Sequence, residues 1–184
     1  MRDVAEARTR VAGAPEVEFA PPWFEHPLFV AAVADRTCAA LAEVQEEHRA
    51  RVPLVFTAHS VPLAMAEASP YVSDLTAASR AVADRLGHSR WSIAYQSRSG
   101  SPRERWLEPD VTAALRRLAA DREPNAVVVP IGFVCDHVEV LYDLDVEARR
   151  MAEAVGIKLH RAAAVNDHPE FIAMLADLVR GGVS

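Results

Sequence analysis

The sequence predicts an α/β domain, three-layered and Rossmann-like: a parallel four-stranded sheet flanked by helices, with an N-terminal arm in front. Three observations predict it. Four short apolar runs alternate with helical segments along the chain. The runs are continuously apolar instead of alternating with polar residues, which is the pattern of strands buried on both faces. The stretches between them are long enough to be helical crossovers, which parallel strands require.

Each element has its own signal. Residues 1–22 read as an irregular arm punctuated by Pro15, Pro21 and Pro22, with residues 16–19 as a short edge strand. Pro27 suits a first helical position, and Phe29, Val33, Leu41 and Val44 follow at helical spacing up to residue 48. Residues 54–58 are the first core strand. Residues 71–86 are a helix closed by Gly87, and residues 91–95 are the second strand. The Glu108-Pro109 pair opens a helix over 110–120, and residues 126–131 are the third strand. A long helix over 136–155 stops at Gly156. Residues 157–160 form the fourth strand and residues 169–179 the last helix. Residues 1–50 are thus an arm with its helix, and 51–184 the α/β domain proper.

Composition narrows the function. At 184 residues the chain holds about one domain. Its hydrophobic fraction of 51% excludes a disordered tail. A formal charge of −6 argues against a nucleic-acid-binding face. Cys38 and Cys135 are too few for a disulfide scaffold, a four-cysteine zinc site or a cysteine-held iron–sulfur cluster. No permanently bound cofactor is expected. The N-terminus is charged and lacks the apolar core of a signal peptide. Residues 126–135, the longest apolar run, fall far short of a bilayer span. A soluble, cytoplasmic protein without a transmembrane segment is the expectation.

In sheets of this kind chemistry sits at the carboxyl ends of the strands. Three such ends carry unusual residues: Thr57-Ala58-His59-Ser60, Gln96-Ser97-Arg98-Ser99-Gly100, and Gly132-Phe133-Val134-Cys135-Asp136-His137-Val138-Glu139. His59 alone reads as an ordinary loop histidine; its place at a strand end makes it a candidate. Glu139, Asp143 and Glu147 recur every fourth residue and line one helix face, where like charges repel. Asp136 and Glu139 fit a capping box. Asp143 lies a turn deeper, outside that explanation, and neither Glu139 nor Asp143 has a basic residue three or four positions away. Carboxylates beside imidazoles suit a divalent cation such as Fe(II) or Zn(II). Trp106, Tyr95 and Phe133, near the same loops, can pack as core or wall a flat apolar ligand. Dinucleotide, P-loop and His-Glu-x-x-His motifs are absent from the sequence.

Four motifs in order resemble one family. They are Thr57-Ala58-His59-Ser60-Val61-Pro62, Tyr95-Gln96-Ser97-Arg98-Ser99-Gly100, Trp106-Leu107-Glu108-Pro109, and the run from Pro130 to Asp145. Together with Asn166-Asp167-His168-Pro169 they look like the ferrochelatases, which insert Fe(II) into a porphyrin in haem synthesis. The resemblance implies a chelatase-like form of the fold, with His59 as metal ligand and acceptor of pyrrole protons, and Glu139 as its carboxylate partner. It implies that Asp143 and Glu147 extend the metal ligands into an acidic track. Gln96, Ser97, Trp106, Phe133 and His137 would border the macrocycle, which is coproporphyrin III or protoporphyrin IX. Arg98, Arg103 and Arg105 stand near enough in sequence to meet carboxylate side arms, or else are ordinary surface charges. The family often has Glu where this chain has Asp143. Its members are usually nearly twice as long. A homodimer, a separate polypeptide or an N-terminal half is therefore expected to complete the pocket. Two other readings stay open: a non-catalytic porphyrin-binding half, and a metal carrier.

Overall fold

The computed structural model describes residues 2–100 and 104–181. In chain order the elements are α1 (Arg2–Thr9), α2 (Pro27–Ala42), α3 (Glu46–Arg49), β1 (Leu54–His59), α4 (Leu63–Glu67), α5 (Tyr71–Leu86), β2 (Trp91–Gln96), α6 (Val111–Ala120), β3 (Asn125–Val129), α7 (Val138–Leu141), a π-helix (Tyr142–Ala148), α8 (Arg149–Val155), β4 (Lys158–Arg161) and α9 (Pro169–Gly181). The four strands form one parallel sheet in the order β2-β1-β3-β4.

The strands divide their side chains between two cores, as the two-residue period of a strand dictates. Leu54, Phe56, Ala58, Val127 and Val129 face the layer of α2, α5 and α9. Val55, Ala94, Ala126 and Val128 face α6, the π-helix and α8, with Leu144 and Ala148 packed against them. The central strands β1 and β3 have no solvent face, which is why their sequences do not alternate; the edge strands β2 and β4 expose Ser92 and Lys158. Gly87 and Gly156 end α5 and α8 with φ of 62° and 78°, values that a Cβ disfavours. Asp110 caps α6 by accepting from the Ala113 N–H at 2.8 Å.

Three expectations need correction. Residues 16–19 form no strand; they run exposed with no sheet edge beside them. The arm is not irregular throughout, because α1 occupies its start, with Asp3 in its first turn and a Glu6–Arg10 ion pair four residues apart. The long helix does not start at Asp136. It starts at Val138 after His137, which makes no side-chain cap, and it passes through the π-helix before α8. The capping box fails because Asp136 is engaged elsewhere, with Asn166 and Arg161.

Candidate active site at the carboxyl edge of the sheet

Parallel pairing of β1 with β2 sets His59 directly beside Gln96. Both lie an even number of residues beyond Val55 and Ala94, so both project on the face covered by α6 and the π-helix. β3 ends lower, and its chain continues through Gly132 across the end of β1. The Gly132 N–H donates to the Thr57 carbonyl at 3.0 Å. A Cβ on Gly132 would stand 2.7 Å from the Ala58 Cα, so only glycine permits this crossing. The crossing carries the chain to the edge where His59 emerges.

The His59 ring is oriented by its own backbone. Nδ1 lies 2.5 Å from the Ser60 carbonyl oxygen. A carbonyl only accepts, so Nδ1 carries the proton and Nε2 of the neutral ring presents a lone pair. The Tyr71 hydroxyl donates to the His59 carbonyl at 2.8 Å. Burial, aided by nearby Tyr95, pushes the Tyr71 phenol up to about 12, so it stays a donor at neutral pH. His59 Nε2 faces Glu139 Oε1 at 3.7 Å, beyond hydrogen-bond range. Their side chains are 35% and 44% exposed. Both reactive atoms are therefore free to meet a third atom that enters from solvent.

Asp143 is held differently. The Ser97 hydroxyl donates to its Oδ2, and the Gln96 amide nitrogen lies 3.4 Å from the same oxygen. Ser97 has φ of 63°, an unusual backbone for a non-glycine residue. A cavity of about 320 Å³ is lined by Ser60, Gln96, Ser97, Glu108, Asp143 and Glu147, among others. Neither His59 nor Glu139 lines it. The acidic row thus divides: Glu139 stands against His59, and Asp143 and Glu147 line this cavity. Gln96 is buried, and its Oε1 finds no partner.

The loops after β1 and β2 zip together. Leu63 N–H donates to Arg105 O at 2.8 Å and Leu107 N–H to Val61 O at 3.0 Å, which places Trp106 in an antiparallel bridge with Pro62. The Trp106 ring lies over Gly100, where a side chain would collide with it. Phe133 is buried in the core beneath α6 and the π-helix, and its ring meets His137 edge-on at 5.5 Å between centroids. Arg98 donates to the Glu104 carbonyl at 3.1 Å. Arg103 lies outside the described residues.

Among the described residues no three His, Cys, Asp or Glu side chains gather closely enough to hold a metal ion. The residues expected as ligands stand as a pair and a separate pair. Sequence reasoning missed Tyr71 and Arg161. Tyr71 carried no signal, because it opens an ordinary amphipathic helix. Arg161 bonds both Asp136 and Asp145, partners distant in sequence that only the fold brings to it.

The family model for ferrochelatase matches residues 1–182. The chain is 44% identical over 180 residues to a ferrochelatase of Rhodopirellula baltica, covering 97% of this chain and 51% of that protein. It is 45% identical over 183 residues to a coproporphyrin III ferrochelatase of Mycobacterium avium, covering 97% of this chain and 53% of the relative. A coproporphyrin III ferrochelatase of Streptomyces griseus is 41% identical over 180 residues, with 90% and 48% covered. The chain spans about half the length of the curated relatives it matches.

Proposed function

The chain belongs to the ferrochelatase family, and on that footing we propose that it carries the metal-insertion half of a lyase that places Fe(II) into a porphyrin. Coproporphyrin III is the favoured macrocycle over protoporphyrin IX, since relatives so named match along nearly all of this chain. The setting is haem biosynthesis in the cytoplasm. Among the described residues no helix is long and apolar enough to cross a membrane.

The observation that carries the reading is the His59–Glu139 pair. The porphyrin must lose two N–H protons as the cation enters. With Nδ1 engaged by the Ser60 carbonyl, Nε2 of His59 is the ring atom placed to take one of them. Glu139 Oε1, 3.7 Å away, takes the second proton as the incoming Fe(II) exchanges its water ligands for the pyrrole nitrogens. Iron is substrate here; it is handed on and not kept. Asp143 and Glu147 supply negative charge at the neighbouring cavity and favour approach of a cation. Gln96, Ser97, Trp106 and His137 border the macrocycle, and Phe133 stiffens that border from beneath.

The apolar rim favours a second component. Val138 is 81% exposed, and Val134, Leu141 and Tyr142 are exposed beside it. Such a patch marks an interaction surface. With half of the relatives' length matched, an N-terminal half, a second polypeptide or a second copy would cover the porphyrin from the other side.

The test follows loss of coproporphyrin III fluorescence under anaerobic Fe(II), with sedimentation of the same sample. Metallation that disappears in His59→Ala supports the reading. Porphyrin binding without insertion would make the chain a binding half, and metal binding without porphyrin affinity would make it a carrier. A well-behaved monomer at high concentration would count against a second copy.

A further inference from the structure

We infer that Arg161 is a positioning residue for this site: one guanidinium ties both ends of the segment carrying Glu139 and Asp143 to the sheet. The inference rests on the proposed insertion reaction for its functional consequence, and on geometry alone for the clamp.

Arg161 closes β4. Its Nη1 donates to Asp136 Oδ1 at 2.7 Å and its Nε to Asp145 Oδ1 at 2.8 Å. His137, Glu139 and Asp143 all lie between those two carboxylates. The Arg161 side chain is 15% exposed, so water screens these bonds far less than a surface ion pair. Asp136 is further fixed by Asn166, which donates its amide to Oδ2 at 2.9 Å and accepts from the Asp136 N–H at 2.9 Å. Burial alone would raise the Asp136 carboxyl. The hydrogen bonds from Asn166 and Ala164 and the Arg161 charge outweigh it and hold the group below its ordinary range.

The segment needs an external tie. α7 has four residues and no side-chain cap, and the π-helix that follows is a rare form with wider hydrogen-bonded turns. Its inner side packs through Val140 and Leu144, while its outer side, at Val138 and Tyr142, is exposed. Asp145 has a second partner, Arg149 at 3.6 Å, but that residue lies four positions on in the same helical run and cannot anchor the run to the sheet. Gln96 on β2 reaches Asp143 in the middle of the segment, at 3.4 Å, whereas Arg161 on β4 holds both of its ends. Its planar fork addresses two carboxylates through separate nitrogens; a lysine keeps the charge and can hold one.

The experiment compares the full chain as wild type, Arg161→Lys and Asp145→Asn by hydrogen exchange and by Fe(II) insertion into coproporphyrin III. In both variants amides 138–148 should exchange at least about tenfold faster while those of β1 and β2 are unchanged. kcat should fall about 10- to 100-fold, the scale of a 1 Å misplacement, with the porphyrin KM within about twofold. Wild-type exchange in both variants overturns the clamp. So does faster exchange in 138–148 with unaltered kcat. If the wild type inserts no iron, the proposed reaction has failed and the clamp has not; the exchange comparison then decides the clamp alone.

Discussion

His59 Nε2 and Glu139 Oε1 face each other across 3.7 Å, from a strand end and a short helix that meet at one edge of the sheet. The histidine arrives on β1 and the glutamate on α7, and the chain that joins β3 to α7 passes over β1 at Gly132.

Because both side chains are part-exposed and make no buried hydrogen bond with each other, removing either should leave the fold intact. His59→Ala and Glu139→Gln should each change stability by less than about 0.5 kcal/mol. Each should cut Fe(II) insertion at least about 100-fold, the scale of losing a positioned acid or base. Porphyrin fluorescence and thermal unfolding measure the two. An active His59→Ala protein would remove the base from the proposed reaction.

Asp143→Asn separates charge from hydrogen bonding. The unpartnered Oε1 of Gln96 can turn to accept from the new amide, so the cost in stability should stay near or below ~1 kcal/mol. Loss of the charge should raise the KM for Fe(II) about tenfold, equivalent to ~1.4 kcal/mol of attraction. An unchanged iron KM in steady-state insertion would show that Asp143 only orders the Ser97 loop.

Gly132→Ala should be costly although it removes no reacting group. The added methyl meets backbone and not a flexible side-chain end. Overpacking of this kind costs about 1–3 kcal/mol. At ~2–4 °C per kcal/mol, the melting temperature should drop by several degrees. A wild-type melting curve would mean that the crossing has room to spare.

Alkaline stability should report Tyr71. Its folded value of about 12 lies above the ordinary 10, so the folded protein holds this proton more tightly than the unfolded chain. That stabilisation is complete below pH 10 and is lost as pH rises from 10 towards 12. Tyr71→Phe should flatten this part of the stability profile in denaturant titrations at stepped pH. A profile as steep as the wild type's would assign the slope to other groups, Tyr95 among them, whose phenol burial also raises.

Much of this architecture was legible in the sequence. The runs of β1 and β3 lack polar alternation because both strand faces are buried, and together with helical crossovers that predicts a parallel sheet. The helix over Tyr71–Leu86 and its glycine stop follow from local chemistry. What stayed hidden was set at longer range. Asp136 looked like a helix cap because a capping box is a local pattern; its true partners, Arg161 and Asn166, come from the end of β4 and the loop after it. The π-helix differs from an α-helix by a wider turn and leaves no periodic trace over seven residues. The evenly spaced carboxylates were visible, but their partners, His59 for Glu139 and Ser97 with Gln96 for Asp143, come from other strands and their loops.

The pairing of His59 with Gln96 has one more consequence. Sliding β1 by a single residue would swing the imidazole into the core beneath α2 and α5 and turn Ala58 outward. A misregistered molecule would lack the His59 imidazole at the rim. In the proposed reaction it would be inert, and specific activity at full solubility would count only the correctly threaded molecules.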